Sequence, residues 1–327
     1  MPEGKNNPQA FLRAFGSYVP SRVVENAELA TRLGCEASWI SSVSGIEQRR
    51  YAGESETLVD LAVNAATDCL SRAEIASTQI GMLLVSSGSS ERRFPGPAAE
   101  TAARLGMAGI PAIDIPVASA GSIFGMALAA QFAASFGIVL LIAAEKMSAV
   151  IAREPLDRNT AILFGDGAGA CLIDPHINSN AGSAEIGHWV LHSDGSFAQD
   201  LRLEFGEPLH MDGRVVIMQA SRKLPAVIRE LLDHRQLPAA AVGAFIMHQA
   251  NQNLIDRVAK ALEVAPEKFY SNIARYGNTS SASMLIAAAE WNVASGFGGG
   301  GFQAGVPVVF AGFGAGFHWG ALLATGV

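Results

Sequence analysis

Residues 114–145 read DIPVASAGSIFGMALAAQFAASFGIVLLIAAE, thirty uncharged positions closed by Asp114 and Glu145. A run of ~20 such residues is enough to cross a bilayer, so the stretch imitates a membrane span. Pro116, Ser119, Gly121, Ser122, Gln131 and Ser135 break it into pieces. Its end, Gly137 to Ala144, has the length and β-branching of a strand buried on both faces. The stretch therefore reads as strand, helix, strand inside a protein core.

Apolar runs bounded by turn residues recur at Ile80 to Ser86, Ile110 to Ile115, Ile138 to Ala143, Ala168 to Ile173, Ala244 to Met247 and Val306 to Phe310. Between them lie small-residue helical patterns at Glu56 to Arg72, Gly121 to Ser135, Ser221 to His234 and Asn253 to Leu262. This alternation predicts an α/β fold with helices on both faces of the sheet. Two internal echoes raise the prospect of a duplicated fold. Gly165-Asp-Gly-Ala-Gly-Ala170 recurs as Gly312-Phe-Gly-Ala-Gly-Phe317, and Ile80-Gly-Met-Leu-Leu-Val85 as Val242-Gly-Ala-Phe-Ile-Met247. Turn chemistry at Asp174-Pro-His176 and Asn178-Ser-Asn-Ala-Gly182 places the boundary near residues 173–183, giving halves 1–175 and 176–327.

Composition removes several classes of function. Half of the 327 residues are apolar, so a large core can form and disorder is excluded. The net charge is −7 with 16% charged residues, which leaves no basic stripe to attract a phosphate backbone; no nucleic-acid partner is expected. Cys35, Cys69 and Cys171 are widely spaced and form no C-x-x-C pair, the pattern of a reducing compartment without a zinc cluster. Met1 to Arg13 is polar and lacks the apolar core of a secretory signal. A cytoplasmic enzyme is the expectation, with no membrane partner.

The common motifs point away from several chemistries. Gly296 to Gly301 satisfies G-x-G-x-x-G but precedes a strand instead of opening a helix, so it reads as a loop rather than a dinucleotide site. No P-loop occurs. His188 and His192 lack the H-E-x-x-H frame and flank strand-like residues, which puts them on one sheet face as structural groups; no metal is expected. Neither G-x-S-x-G nor S-x-x-K is present. What remains is a constellation at strand ends and helix starts: Val117-Ala-Ser-Ala-Gly121, Phe245-Ile-Met-His-Gln-Ala-Asn251 and Tyr276-Gly-Asn-Thr-Ser-Ser-Ala-Ser283. Free N–H groups and helix dipoles converge at such junctions, where α/β enzymes build their sites.

With those segments, the chain from about Ala10 to Leu323 resembles β-ketoacyl-acyl-carrier-protein synthase III, a condensing enzyme of thiolase fold. The resemblance is carried by Trp39 with Gly45 to Arg50, Leu163 to Ala170, Leu191 to Ser196, His248 to Asn251, Gly277 to Ser280 and Gly312 to Gly320. It implies a five-layered α-β-α-β-α architecture built from two similar halves. It also implies an acyltransferase that loads an acyl group from acyl-coenzyme A on residue 119 and condenses it, with loss of carbon dioxide, onto a malonyl thioester borne by acyl carrier protein or coenzyme A.

By the same resemblance Ser119 occupies the position of the family's catalytic cysteine, His248 that of its histidine and Asn278 that of its asparagine. A thiol near pKa ~8.5 is pushed toward thiolate by a helix start, whereas a serine hydroxyl stays protonated and needs a base. Ser119 is therefore read as a laboratory Cys→Ser replacement, as a native serine nucleophile, or as the mark of a non-catalytic subunit in a heterodimer. The backbone N–H of Ala315 is expected to complete an oxyanion hole with that of residue 119.

Trp39 and Arg158 are expected to sandwich the adenine of coenzyme A, Gly213 and Asn251 to meet its pantetheine arm, and Phe94 to reach across a homodimer into the acyl pocket. Coenzyme A enters only as a substrate thioester, with no bound cofactor. Val43, Met218 and Asn253 stand where the family commonly has basic residues for an acidic carrier, although Arg257 and Lys260 remain nearby. That departure keeps a second reading open, a coenzyme A-dependent O- or N-acyltransferase of specialised metabolism.

Overall fold

The computed structural model describes residues 9–153, 156–177, 182–294 and 300–327. Ten strands form one hydrogen-bonded sheet system whose order repeats about its middle. In the N-terminal half the order is Phe11–Tyr18, Asp166–Asp174, Ile138–Lys146, Ile80–Ser86, Ala112–Ile115. In the C-terminal half it is Ala184–Ser193, His318–Gly326, Pro307–Gly314, Ala244–Met247, Phe269–Tyr270. The last three strands of each half run parallel to one another, and the first two pair antiparallel. The halves join where Phe11 and Leu12 pair with Glu185 and Ala184.

The layering follows from where alternate side chains go. On Ile138–Lys146, Val139, Leu141 and Ala143 pack inward, while Leu140, Ile142 and Ala144 pack against the Leu58–Ala73 helix side. The run has no polar alternation because both of its faces are covered. The inward core joins both sheets to helices Gly121–Phe136 and Ser283–Trp291, uniting Met82, Val139 and Cys171 with Ile246, Phe310 and Leu322. Outside the second sheet lie Gly213–His234 and Gln252–Leu262, over Phe245, Val309 and Leu323. The result is helix, sheet, helix, sheet, helix, the thiolase-like arrangement the resemblance implies.

The charge-free stretch is thus a strand end, a central helix and a strand. Its helix is apolar on the faces that meet the two sheets, while Leu128, Gln131, Ser135 and Phe136 remain exposed. Small residues admit close approach: a Cβ on Gly125 would lie 2.5 Å from Leu141 Cδ1.

One internal echo is in register and the other is not. Ile80–Ser86 and Ala244–Met247 hold equivalent places in the two sheets. Gly81 and Gly243 each lack room for a Cβ beside the turn that starts the neighbouring strand, and those turns carry Gly137 at φ 77° and Gly305 at φ 75°. The Gly165 echo is out of register, because the strand Asp166–Asp174 corresponds to His318–Gly326 and not to Gly312 onward. In a chain this rich in glycine and alanine, similar strings arise at non-equivalent positions. Asn178 to Ala181 and Gly296 to Gly299 lie outside the described residues.

His188 and His192 do share a face of Ala184–Ser193, toward Gly213–His234. His188 lies 5.0 Å from the His234 ring, and His192 bonds Glu230 at 2.8 Å and stacks on Trp319.

Candidate active site

Ser119 lies on the turn between strand Ala112–Ile115 and helix Gly121–Phe136, with its backbone in the left-handed region at φ 62°. For a residue with a Cβ this costs ~1–3 kcal/mol and persists only where the surroundings enforce it. The second half does so: Gly314 passes so close that a Cβ would meet Ala118 O at 2.1 Å and Ala120 N at 2.7 Å. The Ser119 N–H donates to Ser280 Oγ at 3.1 Å, and the two hydroxyl oxygens are 3.4 Å apart. Ser280 is itself left-handed at φ 47°, just before helix Ser283–Trp291. Two corresponding strand-to-helix turns therefore touch through their serines.

His248 follows strand Ala244–Met247 and is 6% exposed. Burial pulls its imidazole down to about 4, opposed in part by a hydrogen bond with the Ser280 backbone, so the ring is neutral near pH 7. Its Nδ1 lies 2.6 Å from Ser283 Oγ, which also accepts the Gln249 N–H at 3.0 Å.

Asn278 is anchored through its backbone: its N–H donates to Leu163 O at 2.9 Å and its carbonyl accepts from Gly165 N–H at 3.1 Å. Its Oδ1 accepts from Ser280 N–H at 2.8 Å. A backbone N–H can only donate, so this bond orients the amide and leaves Nδ2 as a donor for the cavity that Asn278 lines.

Ser119, His248 and Asn278 line one cavity of about 500 Å³, together with Ala315, Gly213, Asn251 and Trp39. Leu163, Leu209, Ile217 and Phe313 give it largely apolar walls. Such a site takes an apolar chain and offers few but directed polar groups.

The surrounding residues differ in how they meet it. The Arg158 guanidinium lies 4.9 Å over the Trp39 ring, so the two are in contact across the mouth. Gly213 opens helix Gly213–His234, and a Cβ there would meet nothing nearer than Met211 Cε at 3.9 Å. Asn251 caps Gln252–Leu262: its Oδ1 accepts from Asn253 N–H at 2.9 Å and its Nδ2 donates to Val43 O at 2.8 Å, so both ends of the amide are engaged. Ala315 follows the glycine on which the Ser119 turn rests. Phe94 does not line the cavity; it is 85% exposed, between Arg93 and Gly96. Those two neighbours line a second cavity, of about 800 Å³, that shares Gly88, Ala118, Leu203 and Ala315 with the first. One chain alone does not bring Phe94 to the site.

Sequence reasoning assigned no role to Ser280, Ser283 or Glu145. The buried Glu145 carboxylate accepts from Gly88 N–H, from Ser89 and Ser281 hydroxyls and from Ser281 N–H, tying the loop beside the Ser119 turn to the second half. The serines stood in the Gly277–Ser283 segment, but serine carries no periodicity that marks a partner. Among the described residues no three His, Cys, Asp or Glu are grouped to hold a metal, and no helix is long and apolar enough to cross a membrane.

Comparison with known proteins places the fold in a family. Residues 113–195 match the family model for 3-oxoacyl-[acyl-carrier-protein] synthase III, and residues 232–325 match the model for its C-terminal part. A β-ketoacyl-[acyl-carrier-protein] synthase III of Paramagnetospirillum magneticum is 35% identical over 319 residues, 94% of this chain and 96% of that protein. The crystal structure of 3-oxoacyl-[acyl-carrier-protein] synthase III from Aquifex aeolicus superposes with a TM-score of 0.89 at 31% identity, covering 97% of this chain and 99% of the other. The priming β-ketosynthase of the R1128 polyketide pathway superposes with a TM-score of 0.86 at 29% identity, covering 99% of both chains. Family models, full-length identity and a shared architecture lead to one conclusion: the chain belongs to the 3-oxoacyl-[acyl-carrier-protein] synthase III family.

Proposed function

We propose that this chain is a condensing acyltransferase that draws an acyl group from an acyl-coenzyme A ester, carries it on Ser119 and joins it to a malonyl thioester. The observation that supports this most is the convergence of Ser119, neutral His248 and the outward Nδ2 of Asn278 on one largely apolar cavity. In the condensing step the bond between the malonyl carbon and its carboxylate breaks and carbon dioxide leaves. The electron pair forms an enolate whose oxygen is held by His248 and Asn278 donors. The enolate carbon then attacks the acyl carbonyl, whose oxygen meets the N–H groups of residues 119 and 315; the bond from that carbonyl carbon to the Ser119 oxygen breaks, and the oxygen takes a proton from water. In the free protein the Ser119 N–H is occupied by Ser280 Oγ, so loading requires that contact to open.

Serine sets the pace of the first half-reaction. Its hydroxyl must lose a proton during attack, and no carboxylate lines the cavity to take it. Slow loading is therefore part of the proposal. At the mouth, the 4.9 Å between Arg158 and the Trp39 ring leaves no room for an adenine between them, so coenzyme A has to part the two before it passes Gly213 and Asn251. Val43 and Met218 are exposed at 37% and 41%, and Asn253 donates to Ser42 O and Val43 O. With these groups at the rim, a malonyl group on coenzyme A is preferred over one on an acidic carrier. The protein works in the cytoplasm as a homodimer. Among the described residues the strand Ala112–Ile115 ends its sheet with one edge unpaired, Ile113 is 44% exposed and Phe94 85%, the kind of surface a second copy covers.

Incubation with short-chain acyl-coenzyme A esters followed by intact-mass measurement tests the loading step. An acyl adduct that maps to the Ser119 peptide is expected; an unmodified mass with every ester overturns the serine nucleophile.

A further inference from the structure

His248 is neutral, so one of its two nitrogens carries a hydrogen, and which one decides what the ring can do. Ser283 Oγ stands 2.6 Å from Nδ1, and one of its two lone pairs already receives the Gln249 N–H at 3.0 Å. Both side chains are almost fully buried, His248 at 6% and Ser283 at 2% exposure. No carbonyl or carboxylate among the described residues is bonded to the Ser283 hydroxyl hydrogen. A buried hydroxyl hydrogen needs an acceptor, and the Nδ1 lone pair is the one within reach.

We infer that Ser283 is a positioning residue that donates to His248 Nδ1 and thereby holds the imidazole in the Nε2–H form, a hydrogen-bond donor toward the cavity. This rests on the proposed reading of the site. It deepens that reading because a ring held so, once its N–H leaves the Ser280 backbone, can steady the enolate oxygen of a malonyl thioester, and cannot at the same time take the proton of Ser119 through Nε2. Decarboxylation and loading then separate. The protein cleaves the malonyl carboxylate and protonates the enolate carbon from water, leaving an acetyl thioester, faster than it acylates Ser119. The serine that sets the tautomer sits five residues beyond Asn278 in the same segment, at the start of helix Ser283–Trp291, so one short stretch both supplies one donor and orients the other.

The test is nitrogen-15 spectroscopy of His248 in the full-length protein at neutral pH, assigned by comparison with His248→Gln. A pyrrole-type Nε2 and a pyridine-type Nδ1 are expected; the reverse pattern overturns the inference. Ser283→Ala and Ser283→Thr provide a second readout in malonyl-coenzyme A decarboxylation. The alanine variant should lose about tenfold or more in kcat with little change in KM, as expected when an oxyanion donor is misdirected. Threonine should restore much of the rate and the Nε2–H pattern. An alanine variant with unchanged tautomer and unchanged kcat contradicts the role. Nε2–H in a wild-type protein that releases no carbon dioxide supports the tautomer assignment and overturns the proposed reaction instead.

Discussion

The two halves carry the same device put to different uses. In each, a strand gives way to a helix through a serine in left-handed backbone, Ser119 at φ 62° and Ser280 at φ 47°, and the two hydroxyls come within 3.4 Å of each other. The first turn opens a sixteen-residue helix and presents Ser119 to the cavity. The second spends Ser280 Oγ on the Ser119 N–H and uses its neighbours Asn278 and Ser283 to aim polar groups. Equivalent strand ends diverge as well: after Ile80–Ser86 the chain bonds Glu145, whereas after Ala244–Met247 it places His248. A repeated fold supplies two converging helix starts, and substitution at a few positions makes one the turn that presents Ser119 and the other its support.

Exchanging the two serines breaks the comparison most sharply. Ser119→Ala should abolish acyl-adduct formation entirely, while Ser280→Ala should leave the adduct detectable by intact mass. Adduct of equal yield in Ser119→Ala would erase the distinction between the turns. Next in size, His248→Ala or Asn278→Ala should slow carbon dioxide release from malonyl-coenzyme A by about 10²–10³-fold each, the cost of a removed oxyanion donor.

A smaller effect tests how His248 is held. The folded ring takes up a proton only near about 4, whereas in the unfolded chain it does so near ~6.5. Between those values the unfolded state binds more protons, so stability is fully present above ~6.5 and declines as pH falls toward about 4. The contribution is of the order of 3 kcal/mol. Urea midpoints should fall less on acidification in His248→Gln than in the wild type. Smallest is the support under the Ser119 turn. Gly314→Ala should cost about 1–3 kcal/mol by overpacking. At Gly312 a Cβ would meet nothing nearer than Ile123 Cγ2, at 3.3 Å, so Gly312→Ala should cost less.

Much of the fold was legible because burial on both faces leaves an unbroken apolar run. Ile80–Ser86 and Ala244–Met247 have the bounds the sequence implies, and the central helix differs by one residue at its end. Phe11–Tyr18 escaped because Arg13, Gly16 and Ser17 interrupt its pattern, although its core side chains are buried. Helix Gly213–His234 starts two turns before the periodic segment, where Asp212 accepts the N–H groups of Arg214 and Val215. At the site, Ser119, His248 and Asn278 were legible through family resemblance, since the first two lie 129 positions apart in the chain. Ser280 and Ser283 acquire meaning only from tertiary contacts at 3.1 and 2.6 Å, which no local pattern encodes. Phe94 needs a second chain to be understood at all.

The central claim is that these converging groups make a carbon–carbon bond. Incubating the protein with a short acyl-coenzyme A and carboxyl-labelled malonyl thioester, and following labelled carbon dioxide together with product mass, tests it directly. The account predicts a 3-oxoacyl product formed in step with carbon dioxide release. Acyl transfer to an oxygen or nitrogen acceptor with the malonyl carboxylate intact would contradict it.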